Sequence, residues 1–158
     1  MPKFLEVKYV DAQLMTRGDF YPLRREAPGQ EEQLNIPGYA ITTPDGLPCW
    51  IPATEYEKQH FAITAPNNTI SQKDVDAMIR QVHVDELEPN DSGTKITVVT
   101  ATLANGFTIT ESSTCVDPKN YDREIGRAVC MEKIENKVWL LLGFLLSCGV
   151  NGFQKAGV

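Results

Sequence analysis

From Pro118 to Leu146 the chain meets no further proline, and Asp117-Pro118 opens that run with an N-cap residue followed by proline at the first helical position. One long helix, or two stacked ones, is predicted there. The segment before it reads as strands. Val82 to Leu87, Thr94 to Leu103 and Phe107 to Cys115 are β-rich runs separated by turn formers, Pro89-Asn90-Asp91-Ser92-Gly93 and then Ala104-Asn105-Gly106. Asn-Gly between such runs is the strongest short-range hairpin signal. Ser71-Gln72-Lys73-Asp74 resembles a capping box, and Val75, Met78, Ile79 and Val82 recur at helical spacing after it. The order is helix, antiparallel β-meander, long C-terminal helix. That is an α+β fold.

The N-terminal part follows a different pattern. Phe4 to Val10 reads as a strand, Thr16 as the cap of a short helix through Arg24, and Pro28-Gly29 as a break. Tyr39 to Thr43, Pro44-Asp45-Gly46 and Leu47 to Ile51 read as strand, turn and strand. Thr54-Glu55-Tyr56-Glu57 fits a capping box opening a helix to Phe61. Ala65-Pro66-Asn67-Asn68-Thr69 is a cluster of turn formers, so the predicted organisation is a small α+β accessory module (1–64), a linker (65–70) and a larger α+β domain (71–158).

Charge excludes some functions. Fifteen Lys and Arg against twenty-one Asp and Glu give a net charge of −6, opposite in sign to what a binder of duplex DNA or RNA by bulk charge requires. Residues 1–64 hold six bases and nine acids, and 65–158 hold nine and twelve, so each part is −3. The longest apolar run, Val138 to Leu146, is under half of a membrane span, and the charged N-terminus lacks the apolar core of a signal peptide. The expected location is the cytoplasm. Cys49, Cys115, Cys130 and Cys148 form no Cys-x-x-Cys pair, and with only His60 and His83 beside them no zinc spacing appears. Four reduced thiols and no metal or other cofactor are expected.

No catalytic constellation stands out. Ser112, Ser113 and Cys115 are neighbours, but both histidines are distant in sequence, and Gly93 and Gly106 read as hairpin glycines rather than a phosphate loop. Asp117, Asp122 and Glu124 fit the acids that a helix start attracts. Arg17-Gly18-Asp19 and Asn67-Asn68-Thr69 spell an adhesion tripeptide and a glycosylation acceptor, both read as chance matches in a chain without an export signal. The expectation is a non-enzymatic protein.

The long helix carries a charge pattern. With 100° per residue and Lys119 at zero, Arg123 falls at about 40°, Arg127 at about 80°, Lys133 at about −40° and Lys137 at about 0°. All five bases share one arc, provided Gly126 does not break the helix, while Asp117, Glu124, Glu132 and Glu135 lie opposite and only Asp122, at about −60°, stands close to the bases. A solvated face is the ordinary place for charges, but it mixes signs in i, i+4 pairs where this one separates them. Anion recognition is the functional reading. Phe107 beside the hairpin turn and Tyr121 near the helix start are the candidate stacking rings, with a core role as the alternative for either. Trp139 to Leu146 is apolar all round the helix and reads as either deep core or a subunit interface, the interface being favoured for a module of this size.

Several of these residues also carry a resemblance. Leu103-Ala104-Asn105-Gly106-Phe107, Ser113 through Asp122, Glu124-Ile125-Gly126-Arg127, Lys137-Val138-Trp139 and Gly143-Phe144-Leu145-Leu146 resemble, in order and spacing, a phage and prophage family known as "gp forty-nine/sixty-six". The likeness covers about residues 70 to 147. Some members of that family resemble the anti-defence sponge of the Thoeris system, which binds cyclic ADP-ribose isomers, and in some cases cyclic oligonucleotides, without degrading them, as dimers or larger rings. The resemblance implies a phage anti-defence protein of the host bacterial cytoplasm, homo-oligomeric, with a cyclic nucleotide messenger as ligand. It implies Phe107 as the aromatic near the hairpin, and Lys133 and Lys137 where the sponge carries an i, i+4 pair of arginines. Lysine keeps the charge but loses the bidentate fork. With Arg123 and Arg127 from the basic arc, these form the candidate ligand site. The rival reading is a protein–protein module that binds a host factor through residues 1–64.

Overall fold

The computed structural model describes residues 3, 5–25, 27, 33–43, 45–89 and 93–153. They form two compact units, residues 1–62 and 63–158.

The first unit is a three-stranded antiparallel sheet, β1 (Ala12–Thr16), β2 (Pro37–Thr42) and β3 (Pro48–Pro52), in the order β1-β2-β3. The helix α1 (Arg17–Arg24) starts where expected, its Asp19 N–H donating to the Thr16 hydroxyl at 3.2 Å. The backbone N–H groups of Arg17 and Gly18 donate to Ile36 and Leu34 carbonyls, so the returning chain satisfies donors that a helix start leaves open. A four-residue helix, α2 (Ala53–Tyr56), follows β3 directly.

Two expectations for this unit are corrected. The strand lies at Ala12–Thr16, whereas Leu5 to Val10 have no ladder partner. A β-rich pattern makes a strand only where a neighbour supplies hydrogen bonds, and β2 pairs from Ala12 onward. Pro52, not Thr54, stands at the cap of α2, and that helix ends at Tyr56, short of Phe61. Phe4, the Pro28-Gly29 break, Pro44 of the first turn and Asn90-Asp91-Ser92 of the second lie outside the described residues.

The second unit opens with α3 (Gln72–Met78). Its capping box is built around Asp74, only 1% exposed, whose carboxylate accepts from the backbone N–H and hydroxyl of both Ser71 and Thr64 at 2.7–2.8 Å. The helical spacing through Val82 misleads. Ile79 turns extended, with φ −86° and ψ 108°, and β4 (Ile79–Leu87) begins at once, so sheet pairing overrides helical periodicity.

The strands β4, β5 (Ile96–Leu103) and β6 (Thr108–Thr114) form an antiparallel meander with β5 in the centre. Gly106, with φ 83°, makes the turn that the Asn-Gly pair calls for. Along β5, Thr97, Val99, Ala101 and Leu103 are buried and alternate with half-buried residues. The buried set faces α4 (Arg123–Asn151), which meets them with Gly126, Cys130, Ile134, Val138 and Leu142.

The connection into α4 is an elbow rather than part of the helix. Asp117 caps a 3-10 turn, Pro118–Asn120, while Asp122 accepts from Glu124 and Ile125 N–H groups and caps α4 itself. Lys119 therefore stands off the long helix, and Gly126 sits unbroken within it. The fold is α+β, and among the described residues no helix is long and apolar enough to cross a membrane.

Candidate functional site

From Gly126 to Leu142 the buried residues of α4 recur every fourth position, so the face that meets the sheet advances by about 40° per step on an ideal wheel. Each base must be placed against that drifting face. Arg123 and Arg127 stand one position after its register (127 follows 126), whereas Lys133 and Lys137 stand one position before Ile134 and Val138. The bases therefore flank the helix on opposite sides. The partners of Arg123, Lys133 and Lys137 agree with it. Arg123 Nη2 donates to the Val84 carbonyl of β4 at 3.2 Å, and Lys133 Nζ donates to the Ser112 carbonyl of β6 at 3.1 Å. Lys137 pairs with the Glu111 carboxylate of β6, and Arg127 lies 3.8 Å from Glu124 on its own helix. The single basic arc expected from the wheel is corrected to two flanks.

The β6 flank gathers three of the five candidate residues. Phe107 immediately precedes β6 and is 57% exposed. Lys137 stands at the level of Glu111 and Lys133 at that of Ser112, so the three are spread along the strand over roughly 17 Å at about 3.3 Å per residue. Their charges differ in availability. Glu111, 15% exposed in its side chain, holds the Lys137 ammonium, whereas Lys133 has a neutral carbonyl as its recorded partner. Leu140 and Phe144, 71% and 61% exposed, continue α4 beyond the lysines. Trp139 is half-buried and Leu142 buried, so the segment read as apolar all round divides between core and surface.

At the start of α4, sequence reasoning missed a polar network. Tyr121 donates its hydroxyl proton to Glu86 Oε2 at 2.9 Å, and Thr97 Oγ1 lies 2.9 Å from the same hydroxyl. Glu86 Oε1 takes Lys95 at 2.7 Å, and Lys95 Nζ sits 5.6 Å from the centre of the Tyr121 ring. The Lys95 hydrogen bond, then that of Tyr121, holds the Glu86 carboxyl below its ordinary range. Tyr121 thus joins the elbow to β4 and β5. Only its position in the first turn was visible in sequence, because Glu86 and Lys95 are far from it along the chain.

The remaining candidates have structural partners. Asp117 and Asp122 serve as caps, and His83 Nε2 lies 3.1 Å from Asp85. All four cysteines are free thiols, and burial raises the Cys130 thiol pKa above its usual value. Among the described residues no group of three or more His, Cys, Asp or Glu could hold a metal ion.

A meander with one long helix across one face, its bases aimed at both edge strands, defines a small two-layer α+β domain. Residues 70–150 match the Phage protein (N4 Gp49/phage Sf6 gene 66) family, and the chain belongs to it. No curated protein and no solved structure matches the chain.

Proposed function

We propose that the chain is a phage anti-defence protein that binds a cyclic nucleotide immune messenger, a cyclic ADP-ribose isomer or a cyclic oligonucleotide, and sequesters it intact in the host bacterial cytoplasm. The observation that carries this reading is the β6 flank, where Lys133 and Lys137 lie one helical turn apart and Phe107 is exposed on the same edge. An ammonium that keeps its charge suits a phosphodiester or pyrophosphate oxygen, and an exposed ring suits adenine. Arg123 and Arg127, on the other flank, lie outside this site. The protein acts as a binder and not as an enzyme, and it works as a homo-oligomer, a dimer or larger ring, through the exposed Leu140 and Phe144 surface of α4. Incubation with a panel of cyclic nucleotides, followed by denaturation and mass analysis, tests the reading. Recovery of an intact ligand supports it, and recovery of a cleaved product contradicts it.

A second reading has its own observation. Leu5, Leu14, Leu23 and Leu47 of the first unit are exposed, which is surface a host protein could cover. Pull-down with residues 1–62 deleted distinguishes the two, since the sponge reading requires ligand binding to survive that deletion.

A further inference from the structure

Residues 5–11 form no helix, turn or ladder, although the run Leu5-Glu6-Val7-Lys8-Tyr9-Val10 is β-rich and leads straight into β1. Leu5 and Tyr9 are 80% and 39% exposed, and Val7 is half-buried. Glu6 and Lys8 are exposed too. Their side chains meet at 2.9 Å, as those of residues two apart on one face of an extended chain can. The run thus has a charged face and an apolar one, the latter made by Leu5, Val7 and Tyr9. Among the described residues no backbone hydrogen bond reaches residues 5–10, so their donors and acceptors are open to pairing.

We infer that this run pairs antiparallel with the same run of a second copy of the chain, about a two-fold axis at Val7. The occupant follows from self-complementarity. In that register Val7 stands opposite its own counterpart, Leu5 opposite Tyr9, and Glu6 opposite Lys8, so apolar meets apolar and two unlike charge pairs form across the strands. Every other arrangement loses the match. A slip of two residues sets Glu6 against Glu6 or Lys8 against Lys8, and a slip of one sets a charge against Val7. Parallel, in-register pairing puts like charge beside like. A second copy supplies the match by symmetry, each contact occurring twice. The pairing involves neither the β6 flank nor α4, so it stands or falls apart from the ligand-binding reading.

The test is disulfide trapping in the full-length chain, with mild copper phenanthroline oxidation and mass spectrometry of the linked peptides. In the Val7→Cys variant the two substituted positions face each other, with Cβ atoms about 4.5–5.5 Å apart, and a 7–7 link should form. Tyr9→Cys is the control. Position 9 and its counterpart stand four residues apart along the pair, about 14 Å, beyond disulfide reach. Adding Lys8→Glu to Val7→Cys sets like charges opposite each other twice and should lower the 7–7 yield about fivefold or more. Mixing that double variant with Glu6→Lys/Val7→Cys rebuilds both unlike pairs in the mixed dimer and should restore the yield. Equal trapping at 7 and 9 would mean random collision or parallel pairing, and no trapping at 7 would mean that no such pair forms. A yield indifferent to the charge changes would remove the register. Each of these results overturns the inference.

Discussion

Gly126 of α4 lies directly over Thr97 of β5, so close that a Cβ built at 126 would stand 2.9 Å from the Thr97 Cβ and nearer still to its hydroxyl. The helix rests on the centre of the sheet at this point because neither partner leaves room for another atom. Thr97 cannot step aside. It sits in the middle strand, and its hydroxyl is held by Tyr121.

Gly126→Ala is therefore expected to destabilise the second unit by about 1–3 kcal/mol, even though alanine is worth up to about 1 kcal/mol more than glycine in an open helix. Urea unfolding followed by far-UV circular dichroism measures it. A stabilised variant would mean that α4 stands further from β5 than the structure places it.

Asp74 gives a pH prediction. Its carboxyl titrates at about 2, below the ordinary 3.8; burial, the largest influence, raises it, and hydrogen bonds from Thr64 and Ser71 more than offset that. A folded-state value below the unfolded one adds stability above the unfolded pKa, and that stability is lost as pH falls from about 4 towards 2. Asp74→Asn should cost about 2 kcal/mol near neutrality and flatten the stability profile in that window. Denaturant midpoints at pH 2.5, 4 and 7 test both parts.

Tyr121→Phe removes the hydroxyl that joins Glu86 to Thr97 and keeps the ring under Lys95. The expected loss is about 0.5–1.5 kcal/mol, the usual net worth of a hydrogen bond. Combining it with Glu86→Ala should give less than the sum of the two single losses, because both changes break the same contact. Strict additivity would separate Tyr121 from Glu86 and remove the bridge between elbow and sheet.

The fold was legible wherever local signals agreed. Asn105-Gly106 marked the hairpin, Thr16 and Ser71 marked helix starts, and the proline-free run marked α4, although Asp117, its expected cap, caps the 3-10 turn and Asp122 caps the helix. It was illegible where partners decide. Ile79 and Val82 fit a helix by spacing and became strand because β5 pairs with them. Leu5 to Val10 had the residues of a strand and no neighbour. The basic arc failed in a similar way. A wheel of fixed period placed Arg123, Arg127, Lys133 and Lys137 in one arc, but the buried face of α4 repeats every four residues from Gly126 to Leu142 and slides past them. Only the sheet beneath reveals that Arg123 reaches β4 while Lys133 and Lys137 reach β6.

The central claim rests on Lys133 and Lys137, and calorimetric titration of the wild type and the Lys133→Ala/Lys137→Ala variant with a cyclic ADP-ribose isomer and a cyclic trinucleotide tests it most directly. Charge-assisted hydrogen bonds are worth roughly 1.5–3 kcal/mol each, so the double variant should bind about 3 kcal/mol or more weakly. Lys137→Ala strips the cation from Glu111, whose side chain is 15% exposed, so the unfolding midpoint is expected to fall and the titrations are run where circular dichroism shows the double variant folded. Arg127→Ala, on the other flank, should bind as the wild type does. Wild-type binding that the lysine substitutions leave unchanged, or no binding of either ligand, would contradict the account.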